Sequence, residues 1–345
     1  MKRWKILCWM IALCDPTCLA GELDGSRIPA GTQWIAHIDL EAFKSSQLLR
    51  LALESEAGHP LPHPLDFSIP LKSENFDFSV NWDALTEVYE QFGVNPLEDL
   101  LSVTVFSAGP TPERAVVLAL TTDKLDQAID KARKFVRSES FEADGQALQR
   151  WFEEDSDKPY QFSCIERRGE RRIVTAAFHL EDLLAALKVR DGDASSLKDS
   201  EAAFIPRTTS AGCFFFAAAN DGALAGLDRS QRSQVARMAK SLQFEAGEHD
   251  GKTYLKLAAT AASDAEARKV MQILQGASAL LSLVAQSNDD RELDQFQRLV
   301  QSLDFHCEGS RFEVRFERES KDLVELIHGR ATAAAEAGKT PKKYY

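Results

Sequence analysis

Phe162-Ser163-Cys164, followed by a charged turn and then Glu181-Asp182-Leu183, returns near the end of the chain as Phe305-His306-Cys307, a shorter turn and Lys321-Asp322-Leu323. Each copy reads as two antiparallel strands and a helix: apolar and polar residues alternate on either side of a Gly-containing turn, and the Asp-Leu pair opens a stretch with helical spacing. Upstream of the second copy lie strand Cys213 to Ala219, helical Leu224 to Ala239, strand Leu242 to Ala246, a turn at His249-Asp250-Gly251, strand Thr253 to Ala259 and a helix opened by Ser263-Asp264-Ala265-Glu266. That tetrapeptide fits a capping box, in which serine and glutamate satisfy each other's backbone donors. Upstream of the first copy the order is the same. Strand Trp34 to Leu40 is expected to bury Trp34, Ala36, Ile38 and Leu40, and Asp39 is placed to cap a helix running to Ala57-Gly58. A proline-rich stretch from His59 to Phe78 precludes regular structure, and a helix over Trp82 to Phe92, strand Ser102 to Ser107, strand Ala115 to Leu120 and helix Lys124 to Val136 follow. The fold expected is therefore α+β, in two similar modules, each an antiparallel sheet covered by helices. Residues 31–192 form the first module, 193–212 a linker, 213–330 the second and 331–345 a frayed basic tail.

At 345 residues with 44% hydrophobic side chains, the chain has enough apolar material for a core in both halves. Residues 1–20 read as a secretory signal peptide: Lys2, Arg3 and Lys5 precede the apolar run Ile6 to Leu13, and Cys18-Leu19-Ala20 supplies a small-residue cleavage site. The run is shorter than the ~20 residues needed to span a bilayer. Cleavage would leave 38 basic against 52 acidic residues, a net charge of −14. A surface of that sign repels phosphate backbones, so nucleic acid is not an expected partner, and no integral span remains after cleavage. The expected location is periplasmic or extracellular. Cys164, Cys213 and Cys307 are then the remaining cysteines; each sits in an apolar strand, either as a buried thiol or with two of them paired.

Chemistry is thinly signalled. His37 and Asp39 share a strand face, but Asp39 is accounted for as a helix cap, and Pro60 and Pro62 separate His59 from His63 by something other than a helix turn. The acidic runs Glu153 to Asp157 and Asp191 to Asp193 lack the spacing of a calcium loop. No nucleophile elbow, phosphate loop or dinucleotide fingerprint occurs, so no catalytic residue, cofactor or metal is assigned. Two features remain. Arg167, Arg168, Arg171 and Arg172 surround a hairpin turn and form a candidate anion contact, or a solvated turn. Val270 to Asn288 carries no charged side chain, so its helix is expected to be packed on most sides, with Leu280, Leu281 and Val284 as a candidate interaction surface.

The strand Trp34-Ile-Ala-His-Ile-Asp-Leu40, the segment Ser196 to Phe204 and the closing Asp-Leu helices together resemble a group of uncharacterised exported proteins of planctomycete-type bacteria. The resemblance implies export and a duplicated α+β fold, and transfers no functional residue. The function expected is that of an exported, non-catalytic protein acting through contacts with another envelope protein or with itself. A carrier of an apolar ligand such as a lipid is the alternative, since Phe214, Phe215 and Phe216 place aromatics on both faces of one strand; a hydrolase assembled from distant residues is the third.

Overall fold

The computed structural model describes residues 23–56, 92, 95–153, 156–200, 204–205, 209–226, 238–286 and 301–325. Within these the chain is α+β, built on one large antiparallel sheet. Its strands are β1 (Trp34–Asp39), β2 (Leu100–Ser107), β3 (Val116–Thr122), β4 (Ser138–Ala143), β5 (Gln146–Phe152), β6 (Pro159–Arg168), β7 (Arg171–Ala177), β8 (Cys213–Asn220), β9 (Ala239–His249), β10 (Lys252–Ala261), β11 (Leu303–Glu308) and β12 (Arg311–Glu319). The helices are α1 (Leu40–Ser45), α2 (Gln47–Glu56), α3 (Pro96–Asp99), α4 (Lys124–Ala132), α5 (Leu180–Asp191), α6 (Asp221–Gly226) and α7 (Asp264–Gln286), and residues 320–325 are also helical.

The strand order is β11-β12-β10-β9-β8-β1-β2-β3-β7-β6-β5-β4. The expectation of one sheet per module is therefore corrected: β1 and β8, the leading strands of the two halves, pair antiparallel with Trp34 opposite Ala219 and Ile38 opposite Phe215, and make the sheet continuous. One face carries Ile35, Phe106, Val116, Ala177, Phe216 and Ala218, closed by Leu183, Ala186 and Leu187 of α5 and by Ile28, Leu197 and Phe204. On the other face Val103, Val105, Val117, Ala119, Val174 and Ala176 meet Leu125 of α4. Further along, Ala259, Ala261 and Phe312 meet Leu224 of α6 and Ala267, Val270 and Met271 of α7.

Central placement explains where the burial pattern of β1 departs from its sequence. The expected inward set, Trp34, Ala36 and Ile38, is only half-buried, whereas Ile35, His37 and Asp39 are buried. Burial still alternates, but in the opposite phase, because the face of Ile35 is the one that α5 covers. The polar pair is tolerated because each group is bonded: His37 Nδ1 lies 2.8 Å from Thr104 Oγ1 on β2, and Asp39 accepts from the Ala42 N–H at 2.9 Å, as a helix cap should. Phe214 and Phe216 are buried and Phe215 half-buried; edge-on contacts of Phe214 with Phe43 and of Phe215 with Phe244 pack the run against protein.

The expected single helix after β1 is two. Ser46 takes extended backbone angles between α1 and α2, and its hydroxyl accepts from the Leu49 N–H. The exposed N-terminal amides of α2 are met from the other half of the chain: Glu248 at the end of β9 accepts from Gln47 N at 2.6 Å and Leu48 N at 2.7 Å, and also from Ser320 Oγ at 2.7 Å. A carboxylate at a helix N-terminus is stabilised by the free amides and the helix dipole. The β4–β5 hairpin was not foreseen, although its turn, Asp144-Gly145 with φ of 49° and 71°, is the residue pair that a two-residue hairpin favours. The predicted loop over 59–78, the interior of the helix over 82–92, the helix near Phe296 and the basic tail lie outside the described residues.

α7 corrects a further expectation. Half of the expected capping box is formed at its start, with Ser263 Oγ accepting from the Glu266 N–H at 3.3 Å, whereas Glu266 Oε2 has no hydrogen-bond partner among the described residues. Only its first turns meet the sheet, however; from Gln272 to Leu280 the helix is mostly exposed, with Ile273 at 40% and Leu280 at 62%. At 1.5 Å per residue, 23 residues extend ~34 Å, far beyond the short cluster of Ala267, Val270 and Met271.

Gly212 enters β8 with φ of +70°, and a Cβ there would stand 1.8 Å from the Glu248 carbonyl oxygen. Gly212→Ala is accordingly expected to destabilise by more than ~1 kcal/mol in urea denaturation, because both the backbone region and the space exclude a side chain.

Candidate functional site

The arginine run divides on the structure. Arg172 is buried and holds Asp126 of α4 through Nε at 3.0 Å and Nη2 at 2.8 Å, while its Nη1 donates to the Gly169 and Arg171 carbonyls. Hydrogen bonding from Arg172, helped by its charge and that of Arg167, holds the Asp126 carboxyl below the ordinary range against the effect of burial. Arg168 is exposed and turns to Glu166 at 3.3 Å, and Arg167 is exposed and reaches Asp126 only at 3.5 Å. Arg171, at the start of β7, is half-buried. The four guanidiniums do not converge as the sequence proposed. Arg172 is a structural tie, and Arg167 alone of the four lines a cleft of about 410 Å³ between α4 and the outer strands, with Asp130 and Arg133 on one side and Gln149 and Ser163 on the other.

On the opposite face a second ionic cluster centres on Glu166. Arg27 holds both its oxygens, at 2.9 Å and 3.2 Å, and Arg190 of α5 approaches at 3.6 Å while also engaging Asp191, Gln146 and the Cys164 thiol. Burial works to raise the Glu166 carboxyl, but the bonds and charges of Arg27, Arg190 and Arg168 outweigh it and hold the group below the glutamate range. This cluster ties the N-terminal segment and α5 to β6. Asp191, read as part of an acidic stretch, is one of its members.

The third cluster is one that no local motif marks. In the segment between the halves, expected as a linker, Leu197 and Phe204 are buried, and the Leu197 N–H donates to Ile28 O at 2.6 Å. Gln243 Nε2 of β9 donates to Phe204 O at 2.6 Å. Two residues on, Glu245 is buried to 1% and accepts from both the N–H and the Oγ of Ser210, the latter at 2.5 Å, while Lys256 Nζ of β10 lies 2.9 Å from Glu245 and 3.1 Å from Ser210 Oγ. Cys213 and Tyr254 border the group. Burial first, then the Glu245 charge, pushes the Cys213 thiol up to about 11; burial also raises the Tyr254 phenol. A serine, a lysine and a carboxylate in contact invite comparison with a nucleophile and its base. The geometry argues otherwise: the Ser210 proton is engaged by a carboxylate, its lone pair faces a paired ammonium, and the neighbouring thiol is held protonated. The chemistry is that of a polar latch. The sequence carries a signal for it, since Gln243 and Glu245 alternate with Leu242, Phe244 and Ala246 on a strand both of whose faces are covered.

The remaining predicted positions are placed as follows. Among the described residues, no group of three His, Cys, Asp or Glu side chains could hold a metal ion, and no helix is long and apolar enough to cross a membrane. Cys164, Cys213 and Cys307 are free thiols on β6, β8 and β11. Leu280 is exposed on α7; Leu281 and Val284 lie on the same helix, outside the residues whose side chains are described. His59 and His63 also lie outside the described residues.

No protein-family model matches the chain, and no curated protein does. Among solved structures it is similar to TP0453, a Treponema pallidum protein, in two crystal forms. Form I shows 8% identity and a TM-score of 0.40 over 90% of this chain and 98% of that one; form III shows 9% identity and 0.41 over 88% and 98%.

Two outcomes are expected. Lys256→Met, which leaves Glu245 buried without its cation, should destabilise by ~3 kcal/mol or more in urea denaturation, against ~1 kcal/mol for Ser210→Ala. For Glu166, a depressed folded-state value means stability present at neutral pH and lost as pH falls through that value. Glu166→Gln should therefore be less stable at pH 7 and lose stability less steeply than the parent below about pH 4.3, read as melting temperature against pH.

Proposed function

We propose that this chain is an exported, non-catalytic protein of two similar α+β modules that acts through protein contacts at the cell envelope, with α7 as the contact surface. The observation that carries the reading is the exposed stripe Ile273, Gly276, Ala277 and Leu280, four residues at i, i+3, i+4 and i+7 on a helix that bears no charge from Val270 to its end. In a chain of net charge −12, an exposed helix face without charge is the kind of surface that protein interfaces use. Small residues at 276 and 277 permit close approach of a partner backbone.

Duplication is supported by order in the sheet. In the first half β1-β2-β3 is followed by β7-β6, and in the second β8-β9-β10 is followed by β12-β11, so that in each half the last hairpin lies reversed against the third strand. The β4–β5 hairpin then reads as an addition to the first half. Export is supported by the basic, apolar and small-residue succession of residues 1–20.

The carrier reading is less well supported. The cleft beside α4 is bordered by Asp130, Arg133, Gln149, Ser163 and Arg167, which do not suit an apolar cargo, and the Phe214 to Phe216 run is packed against protein. The hydrolase reading meets the engaged hydroxyl of Ser210.

With a photo-reactive benzoylphenylalanine in place of Leu280 in the exporting cell, irradiation is expected to give one discrete protein adduct, to a second chain or to another protein, that disappears when Ile273→Glu is added. Absence of any adduct, or adducts to lipid alone, would overturn the contact reading.

A further inference from the structure

Resting on the reading of α7 as a contact surface, we propose that the partner it meets is a second copy of the chain. The two α7 helices would lie antiparallel on the stripe Ile273, Gly276, Ala277 and Leu280, about a two-fold axis between residues 276 and 277.

The stripe is not the core side of the helix seen from another angle. Successive helical residues stand about 100° apart, which sets the stripe about 120° round α7 from Ala267, Val270, Met271 and Leu274, the residues that pack on the sheet. All four stripe residues are exposed. Gly276 is the one that the fold of a single chain does not account for. Glycine in a helix interior is destabilising relative to alanine, yet Gly276 has no positive φ, and a Cβ there would meet nothing within 4 Å. What a missing side chain provides at such a position is room for another backbone.

The order of sizes along the stripe is what a second copy requires. A two-fold interface presents the same patch from both sides and must complement itself. Read in either direction, the stripe runs large, small, small, large. Antiparallel pairing sets Ile273 against the partner's Leu280 and Gly276 against the partner's Ala277, so that the bulky residues flank a crossing where the axes approach to about 8 Å, the short end of the range for packed helices. Charge favours the same occupant. Two chains of net charge −12 repel least through a face that carries none, whereas a basic partner would be drawn to the carboxylates elsewhere. Within α7 the charged residues are Asp264, Glu266, Arg268 and Lys269, all in its first two turns. The antiparallel arrangement lays those turns beside the uncharged end of the other helix and opposes the helix dipoles; a parallel one would stack like charges.

Sedimentation velocity of the full chain across a concentration series tests the assignment. A reversible monomer–dimer equilibrium is expected. Gly276→Leu, which fills the crossing but meets nothing in its own chain, should keep the helical circular dichroism of the parent and raise the dissociation constant at least about tenfold. Ala279→Leu, exposed on α7 but off the stripe, should leave the equilibrium unchanged. Register is read separately: Ile273→Cys and Leu280→Cys proteins, mixed and oxidised, should give a disulfide-linked pair in greater yield than either variant alone, with the parent as control for its own thiols. A chain that stays monomeric throughout the series, an association that Gly276→Leu leaves intact, or linkage of Ile273→Cys to itself as readily as to Leu280→Cys would overturn the second copy as partner. The contact reading fails on different evidence: it survives a monomeric chain if position 280 forms its adduct with another protein, and falls if no protein adduct forms.

Discussion

The pairing of β1 with β8 is the constraint from which the rest of the molecule follows. Each strand opens one half of the chain, and joining them edge to edge makes both central, so neither has a free edge. Every polar side chain on them or beside them must then find a partner inside the protein. His37 meets Thr104, Asp39 caps α1, and one strand further out Glu245 meets Ser210 and Lys256. Joining the halves also removes two exposed edges at once. The edges that remain, β4 and β11, carry Glu139 and Glu142 in the one case and Asp304 and Glu308 in the other, charges that oppose further strand addition.

Ties between the halves therefore recur away from the β1–β8 seam. Glu248, near the end of β9, accepts from the first two amides of α2 while Ser46 caps the third, and Phe204 and Ser210 are held by Gln243 and Glu245. None of these groups gains much as a surface pair would; they matter because their loss leaves a buried donor or acceptor unmet. The glycine at 212 belongs to the same arrangement, since only a residue without Cβ lets the returning chain lie against the Glu248 carbonyl.

What the sequence made legible was local. Asp39 as a cap, Ser263 and Glu266 at the start of α7, the Asp250-Gly251 turn and the last hairpin of each half are each dictated by neighbours a few residues away, and each is where it was expected. The Asp144-Gly145 turn is equally local. What could not be read depends on residues far apart in the chain. The burial phase of β1 reverses because Ile35 lies on the face that α5, far along the chain, covers, and Phe204 and Ser210 of the apparent linker are held because their anchors sit some 40 residues downstream, on β9 and β10. The arginine run misled for the same reason. Its spacing suggested four equivalent cations, but α4 brings Asp126 to Arg172 and leaves Arg167 as the one beside the cleft.

That difference between Arg172 and Arg167 bears on how an acidic protein keeps any cationic site. Most of the arginines described here are engaged with carboxylates: Arg27 with Glu166, Arg114 with Asp182, Arg150 with Glu139, Arg190 with Asp191. With an excess of carboxylates, an arginine on a flexible surface segment would find one, and its charge would be cancelled before a ligand arrived. Arg167 is held more loosely. Near the end of β6 it shares the Asp126 carboxylate with the more deeply buried Arg172, at 3.5 Å against 2.8 Å. A buried ion pair that adds little net stability can in this way determine which neighbouring charge stays available.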